Sequence, residues 1–223
     1  MDPAAPRSAP PALPASGRID LPVAHGQLEA ILKESAAPIA AVLVCHPHPK
    51  GGGTMNNNVV YRVAKALGAA GASVLRFNFR GVGRSTGSYD HGVGEEDDAR
   101  AALDFLAQRY PEVPLWMAGF SFGARVGLTV GAADQRVGKL LGVGLALTMF
   151  DYGFLATSTK PKAIIQAADD EYGGRDAITA AVAAMAEPKR LWIVDGASHL
   201  FPGRLDELER AADEAAAYLR DSV

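Results

Sequence analysis

The chain has 223 residues, 48% hydrophobic and 21% charged, which is enough apolar material for one large folded domain and too much for an unfolded chain. With 22 Lys and Arg against 25 Asp and Glu, the formal charge is -3, so there is no basic footprint for nucleic acid or an anionic membrane surface. A lone cysteine, Cys45, excludes an internal disulfide and any cysteine cluster for zinc or iron–sulfur chemistry, and fits a reducing cytoplasm.

Residues 1–17 carry five prolines and almost no large apolar side chain, so they are expected to form a flexible tail ahead of one domain spanning 18–223. Prolines interrupt every run that a secretory leader would need. No later stretch reaches the roughly 18 apolar residues of a membrane span, and no internal repeat is present. An outer strand is predicted over 27–33, then strands over 39–45, 73–79, 114–119, 139–147, 162–167 and 189–195, each rich in Val, Leu or Ile. Helices are predicted over 57–70, 95–109, 122–132, 174–186 and 205–220 from apolar residues three or four apart. Glu95, Glu96, Asp97 and Asp98 fall in the first turn of the second helix, where negative charge suits the helix dipole. The alternation describes an α/β fold, a mostly parallel sheet with helices on both faces, whose ligands bind beyond the carboxyl ends of the strands.

Gly119-Phe120-Ser121-Phe122-Gly123 fits G-x-S-x-G and falls between a predicted strand and a predicted helix. A serine on such a bend holds its hydroxyl above the sheet, and the backbone N–H of Phe122 can stabilise an oxyanion formed when Ser121 attacks a carbonyl carbon. The hydroxyl needs a base, and the base needs an orienting acid, in the chain order Ser, acid, His. His199 is the only histidine beyond Ser121 and is the candidate base. His25, His46, His48 and His91 precede it and read as loop or capping residues. The acid is expected after strand 162–167, where Asp169, Asp170 and Glu171 follow in succession. The residues themselves leave Asp169 and Asp170 open, with Asp151 a lower-ranked position.

The run His46-Pro47-His48-Pro49-Lys50 after strand 39–45 is placed to give the second oxyanion donor. Pro47 and Pro49 have no N–H, which leaves His46, His48 and Lys50, and His48 is the candidate. Gly51, Gly52 and Gly53 lack the order of a phosphate-binding loop. The stretch Arg80-Gly81-Val82-Gly83-Arg84-Ser85-Thr86-Gly87 carries G-x-G-x-x-x-G and opens no helix, so it is expected to be a turn whose arginines hold neighbouring loops rather than a dinucleotide site. Only about 14 residues separate strands 139–147 and 162–167, too few for a helical cap. Phe150, Tyr152 and Phe154 lie in that connection and are expected to wall an open mouth for a short acyl or aryl group.

HPHPKGGGTMNNNVV, LRFNFRGVGRSTGSYDHGVGEEDD, GFSFGARV and ASHLF together resemble a small bacterial subfamily of capless serine hydrolases in the α/β-hydrolase superfamily, described as predicted esterases related to dienelactone hydrolases. The likeness runs from about residue 25 to the end. It implies a three-layer α/β-hydrolase fold without a cap domain, Ser121 as nucleophile and His199 as base. The subfamily's Gly-x-x-Asp-Glu pattern lands on residues 167–171, with Ala167 in place of the glycine, which implies Asp170 as the acid. Dienelactone hydrolases use cysteine where this chain has Ser121, so that particular activity is not implied. The expected function is a carboxylic ester hydrolase cleaving short, soluble esters through an acyl-enzyme on Ser121, with no metal or organic cofactor required. The expected partner is a small-molecule ester, and a homodimer is left open. Alternatives are a thioesterase or small amide or peptide hydrolase with the same three groups, or a silent binding protein of the same fold.

Overall fold

A computed structural model describes residues 16–222. The chain opens on a hairpin, β1 (Ser16–Val23) and β2 (Gly26–Lys33), and then alternates strands with helices. In order these are β3 (Ala41–Cys45), α1 (Asn58–Ala69), β4 (Ser73–Phe77), α2 (Val93–Arg109), β5 (Leu115–Phe120), α3 (Phe122–Ala133), β6 (Val137–Val143), β7 (Lys162–Ala167), α4 (Arg175–Ala184), β8 (Lys189–Val194) and α5 (Leu205–Asp221). The tail expected over 1–17 falls mostly outside the described residues, but Ser16 and Gly17 pair with Lys33 and Leu32 inside β1.

The strands form one sheet in the order β1-β2-β4-β3-β5-β6-β7-β8. From β4 through β8 every neighbouring pair is parallel, and β2 pairs antiparallel with both β1 and β4. Alternate residues feed two cores, as the period of two in a pleated strand requires. In β3, Ala41, Leu43 and Cys45 face the layer holding α2, α3 and α4, whereas Val42 and Val44 face α1 and α5. Both cores exclude water, so β3, β5 and β7 are buried along their whole length and read as unbroken apolar runs. The result is the expected three-layer, mostly parallel α/β-hydrolase arrangement. Residues 144–161, between β6 and β7, hold a single 3₁₀ turn at Gly153–Ala156 and no covering helix.

Several boundaries shift for local reasons. The strand expected over 139–147 ends at Val143 because Gly144 turns to φ 55°. β1 was absent from the predicted elements, since only Ile19 and Leu21 alternate inward along it. The acidic run at α2 divides its work: Glu95 accepts the N–H groups of Asp90 and Gly92 at 2.9 and 2.7 Å, while Asp98 turns inward to Arg80 at 2.8 Å and His25 at 2.9 Å. Arg84 reaches Asp20 on β1 at 2.7 Å, so the arginines of the 80–87 stretch pair with a strand and a helix rather than with the neighbouring loops expected of them.

The order of connections locates the site. From β3 the chain moves outward to β4, then crosses back over β3 to reach β5, so the loops leaving β3 and β5 diverge. A crevice at the carboxyl ends of these two strands follows from that reversal.

Candidate active site

Ser121 stands between β5 and α3 at φ 55° and ψ -120°, a conformation few non-glycine residues adopt. Two glycines make the bend sterically feasible. A Cβ at Gly119 would lie 2.2 Å from the Gly123 carbonyl oxygen, and one at Gly123 would lie 2.4 Å from that of His46. The Ser121 N–H is tied to Val143 O at 2.9 Å, which leaves its hydroxyl aimed out of the sheet.

His199 comes from the loop between β8 and α5. Its Nε2 lies 2.8 Å from Ser121 Oγ, and its Nδ1 lies 2.8 Å from Asp170 Oδ2. These three side chains belong to residues only 9%, 6% and 5% exposed for Ser121, His199 and Asp170, so their hydrogen bonds are shielded from competition with water. The loops after β7 and β8 are laced together by Ala168 N to Val194 O and Asp169 N to Ala197 O, both 2.9 Å, which holds acid and imidazole in register. Asp169 is exposed and Asp151 caps the following turn through Gly153 N at 2.7 Å. Of the carboxylates weighed from sequence, Asp170 is the one that meets the imidazole.

Two supporting groups went unnoticed in the sequence. Gln166, fully buried on β7, donates from Nε2 to Asp170 Oδ2 at 2.9 Å and accepts the Leu145 N–H at 2.8 Å. Tyr172 donates its backbone N–H to Asp170 Oδ1 at 2.9 Å, and its ring packs edge-on against His199 at 4.8 Å. With both oxygens of Asp170 engaged, the carboxylate cannot swing away from the ring. The signal for Gln166 was present, a single polar residue inside the apolar run KAIIQA, because a buried amide needs partners and is seldom there without them.

Ser121, Phe122, His48, Phe150 and His199 line one open cavity of about 510 Å³ at the carboxyl end of the sheet. Among the described residues the backbone N–H groups of His48 and Phe122 find no acceptor, the state expected of donors kept for a ligand. The His48 ring stacks between Tyr89 and Phe122 at 5.0 and 5.1 Å, and burial holds its pKa below the usual imidazole value. Tyr152 and Phe154 do not line this cavity. The 3₁₀ turn folds the connection back on α3, burying Tyr152 to 6% exposure in the core and setting Phe154 beneath the Arg125 guanidinium at 5.4 Å. Phe150 alone of the three expected wall residues faces the site. Met149, Tyr172 and Leu200 complete an exposed apolar rim around it.

Such a chain of hydroxyl, imidazole and carboxylate can draw a proton from the serine as its oxygen attacks an electrophile. Known proteins similar to this chain include α/β hydrolases. Residues 36–156 match the sequence profile of the family described as serine aminopeptidase, S33. An uncharacterized protein of Rickettsia prowazekii (strain Madrid E) is 35% identical over 200 residues, covering 85% of this chain and 84% of the relative. An α/β serine hydrolase homologue from Coxiella burnetii is 37% identical with a TM-score of 0.83, over 91% of this chain and 98% of that one. An α/β serine hydrolase without a lid from Xanthomonas campestris is 32% identical with a TM-score of 0.85, over 96% and 100%.

Proposed function

Because the chain belongs to the α/β-hydrolase family described as serine aminopeptidase, S33, and is therefore a hydrolase, we propose that it is a serine carboxylesterase. The observation that carries the reading is the unbroken relay from Ser121 through His199 to Asp170, at 2.8 Å on each side of the ring. His199 takes the Ser121 proton as Oγ attacks the ester carbonyl, and negative charge gathers on the carbonyl oxygen, which the N–H groups of His48 and Phe122 receive. Asp170 holds the tautomer and steadies the imidazolium. His199 then protonates the departing alcohol, leaving an acyl group on Ser121, and activates the water that releases the acid.

An open cavity of about 510 Å³ with no covering helix suits short, soluble esters, with Phe122 and Phe150 against the apolar part of the substrate. Labelling by a fluorophosphonate, lost in Ser121→Ala, together with turnover of short aryl esters, tests the reading. An intact protein that neither labels nor turns over any ester would overturn it. Glu171, the acid on the cavity wall, favours a second reading, cleavage of small peptides whose free ammonium it would pair with. Rates on matched ester, thioester and amide substrates separate the two readings and the thioesterase alternative.

A further inference from the structure

We propose that His46 is a positioning residue for the oxyanion site, its ring fixing the Pro47–His48 peptide so that the His48 N–H is held toward the Ser121 cavity. This rests on the serine esterase reading above. His46 is fully buried and does not itself line the cavity, whose wall it meets through Pro47. Its ring joins two loops. The backbone N–H of Phe79, just past β4, donates to His46 Nε2 at 3.0 Å. A nitrogen that accepts carries a lone pair, so the ring proton sits on Nδ1, which lies 2.6 Å from Pro47 O and donates to it. Burial pushes the His46 pKa down to about 4, so this neutral tautomer holds across the pH range in which an esterase works.

The consequence comes from the peptide plane. Pro47 C=O and His48 N–H belong to one rigid amide, so anchoring the oxygen fixes the direction of the hydrogen on the other side. The same amide is confined from its far side by Gly53, where a Cβ would lie 2.1 Å from Pro47 O. The next carbonyl, His48 O, accepts the N–H groups of Gly51 and Gly53 at 3.0 and 3.1 Å. Gly53 thus lets the loop close over an amide that His46 has already oriented.

The alternative is that His46 is only a peg between loops, and two isosteric variants separate the roles. In His46→Gln the side-chain amide reaches the place of Nε2 and can still accept from Phe79, but Pro47 O loses its donor. In His46→Asn the amide nitrogen stands at the place of Nδ1 and keeps the donor, while the Phe79 N–H is left unpaired. Kinetics on a short aryl ester, inhibition by a boronic acid whose tetrahedral oxygen occupies the oxyanion site, and melting curves are measured for both. His46→Gln is expected to lower kcat about 10- to 100-fold, with KM within about threefold and boronate affinity reduced in parallel, somewhat less than outright loss of a donor. His46→Asn should keep kcat within about threefold of wild type even where its melting temperature falls. Gly53→Ala, which pushes on the same amide, should reproduce the His46→Gln pattern and serves if that variant does not fold. Unchanged kcat in His46→Gln, or an equal loss in His46→Asn that follows its melting temperature, would overturn the positioning role. Wild-type protein that resists the fluorophosphonate and hydrolyses no ester would instead remove the esterase reading and this proposal with it.

Discussion

Among the described residues two chains of hydroxyl, imidazole and carboxylate stand out, and they differ in everything but composition. In one, Ser121 Oγ, His199 and Asp170 are linked at 2.8 and 2.8 Å. In the other, Thr86 Oγ1 lies 3.2 Å from His25 Nδ1, and His25 Nε2 lies 2.9 Å from Asp98 Oδ1. Thr86 is already spent on backbone, accepting from Gln27 N at 2.7 Å and donating to Gln27 O at 3.0 Å. Asp98 is saturated by Arg80, whose Nη2 reaches it at 2.8 Å and whose backbone N–H reaches it at 2.8 Å. Neither the hydroxyl proton nor the negative charge is free to act. The Ser121 chain has a hydroxyl with no competing partner among the described residues, an acid supported by neutral Gln166, and a cavity lined by His48 and Phe122. Reactivity therefore lies in what surrounds the three groups, and the Thr86 chain is a clamp that fastens the β1–β2 hairpin to α2.

That contrast is broken most forcefully by paired substitutions. Ser121→Ala should reduce ester turnover by on the order of 10⁴-fold or more, while Thr86→Ala should leave it within about twofold of wild type; a large loss in the latter would mean the second chain is not inert. Asp170→Asn should cost about 10⁴-fold in kcat, because the amide stabilises the wrong imidazole tautomer. Asp98→Asn should instead spare kcat and destabilise the fold by about 1–3 kcal/mol, through loss of the paired charge beneath Arg80, which Glu95 and Asp90 still partly offset, seen as a melting point lower by roughly 2–12 °C.

Two smaller effects sharpen the comparison. Stability should depend on acid through His46. The folded imidazole, held at about 4, stays neutral where the unfolded one, near 6.5, takes a proton. Stability is then complete above pH 6.5 and declines as pH falls toward 4, by about 3 kcal/mol in total. Denaturant titrations of wild type and His46→Asn at pH 7 and pH 4.5 check this, the variant showing the flatter profile. Smallest is the rim: Leu200→Ser should raise KM for aryl esters by only about threefold with kcat unchanged, as loss of a half-exposed apolar contact would.

How much was legible beforehand follows from the range of each signal. The bend at Ser121 is written within five residues, and His199 followed from chain order alone, so both could be read without coordinates. The choice of Asp170 over Asp169 could not be made from local chemistry, since adjacent carboxylates differ only in which one the β7–α4 turn directs inward; a family pattern supplied it. Gln166 and His46 also tie in partners 21 and 33 residues away, Leu145 and Phe79, and local spacing does not report those pairings, although the lone polar residue in KAIIQA marks Gln166 itself. Phe150, Tyr152 and Phe154 looked equivalent because the face that a loop side chain takes depends on how the loop lies on α3. The strand pattern was legible wherever both faces are buried and weakest at the edge hairpin, where β1 shows water one side of itself.

The backbone at Ser121 has one more implication. A residue at φ 55° and ψ -120° sits where glycine rests and other amino acids are held against their preference, a conflict of roughly 1–3 kcal/mol. Ser121→Gly should therefore give a protein that melts above both wild type and Ser121→Ala, inert yet sturdier. On the proposed reading, endurance and chemistry make opposite demands on this single position.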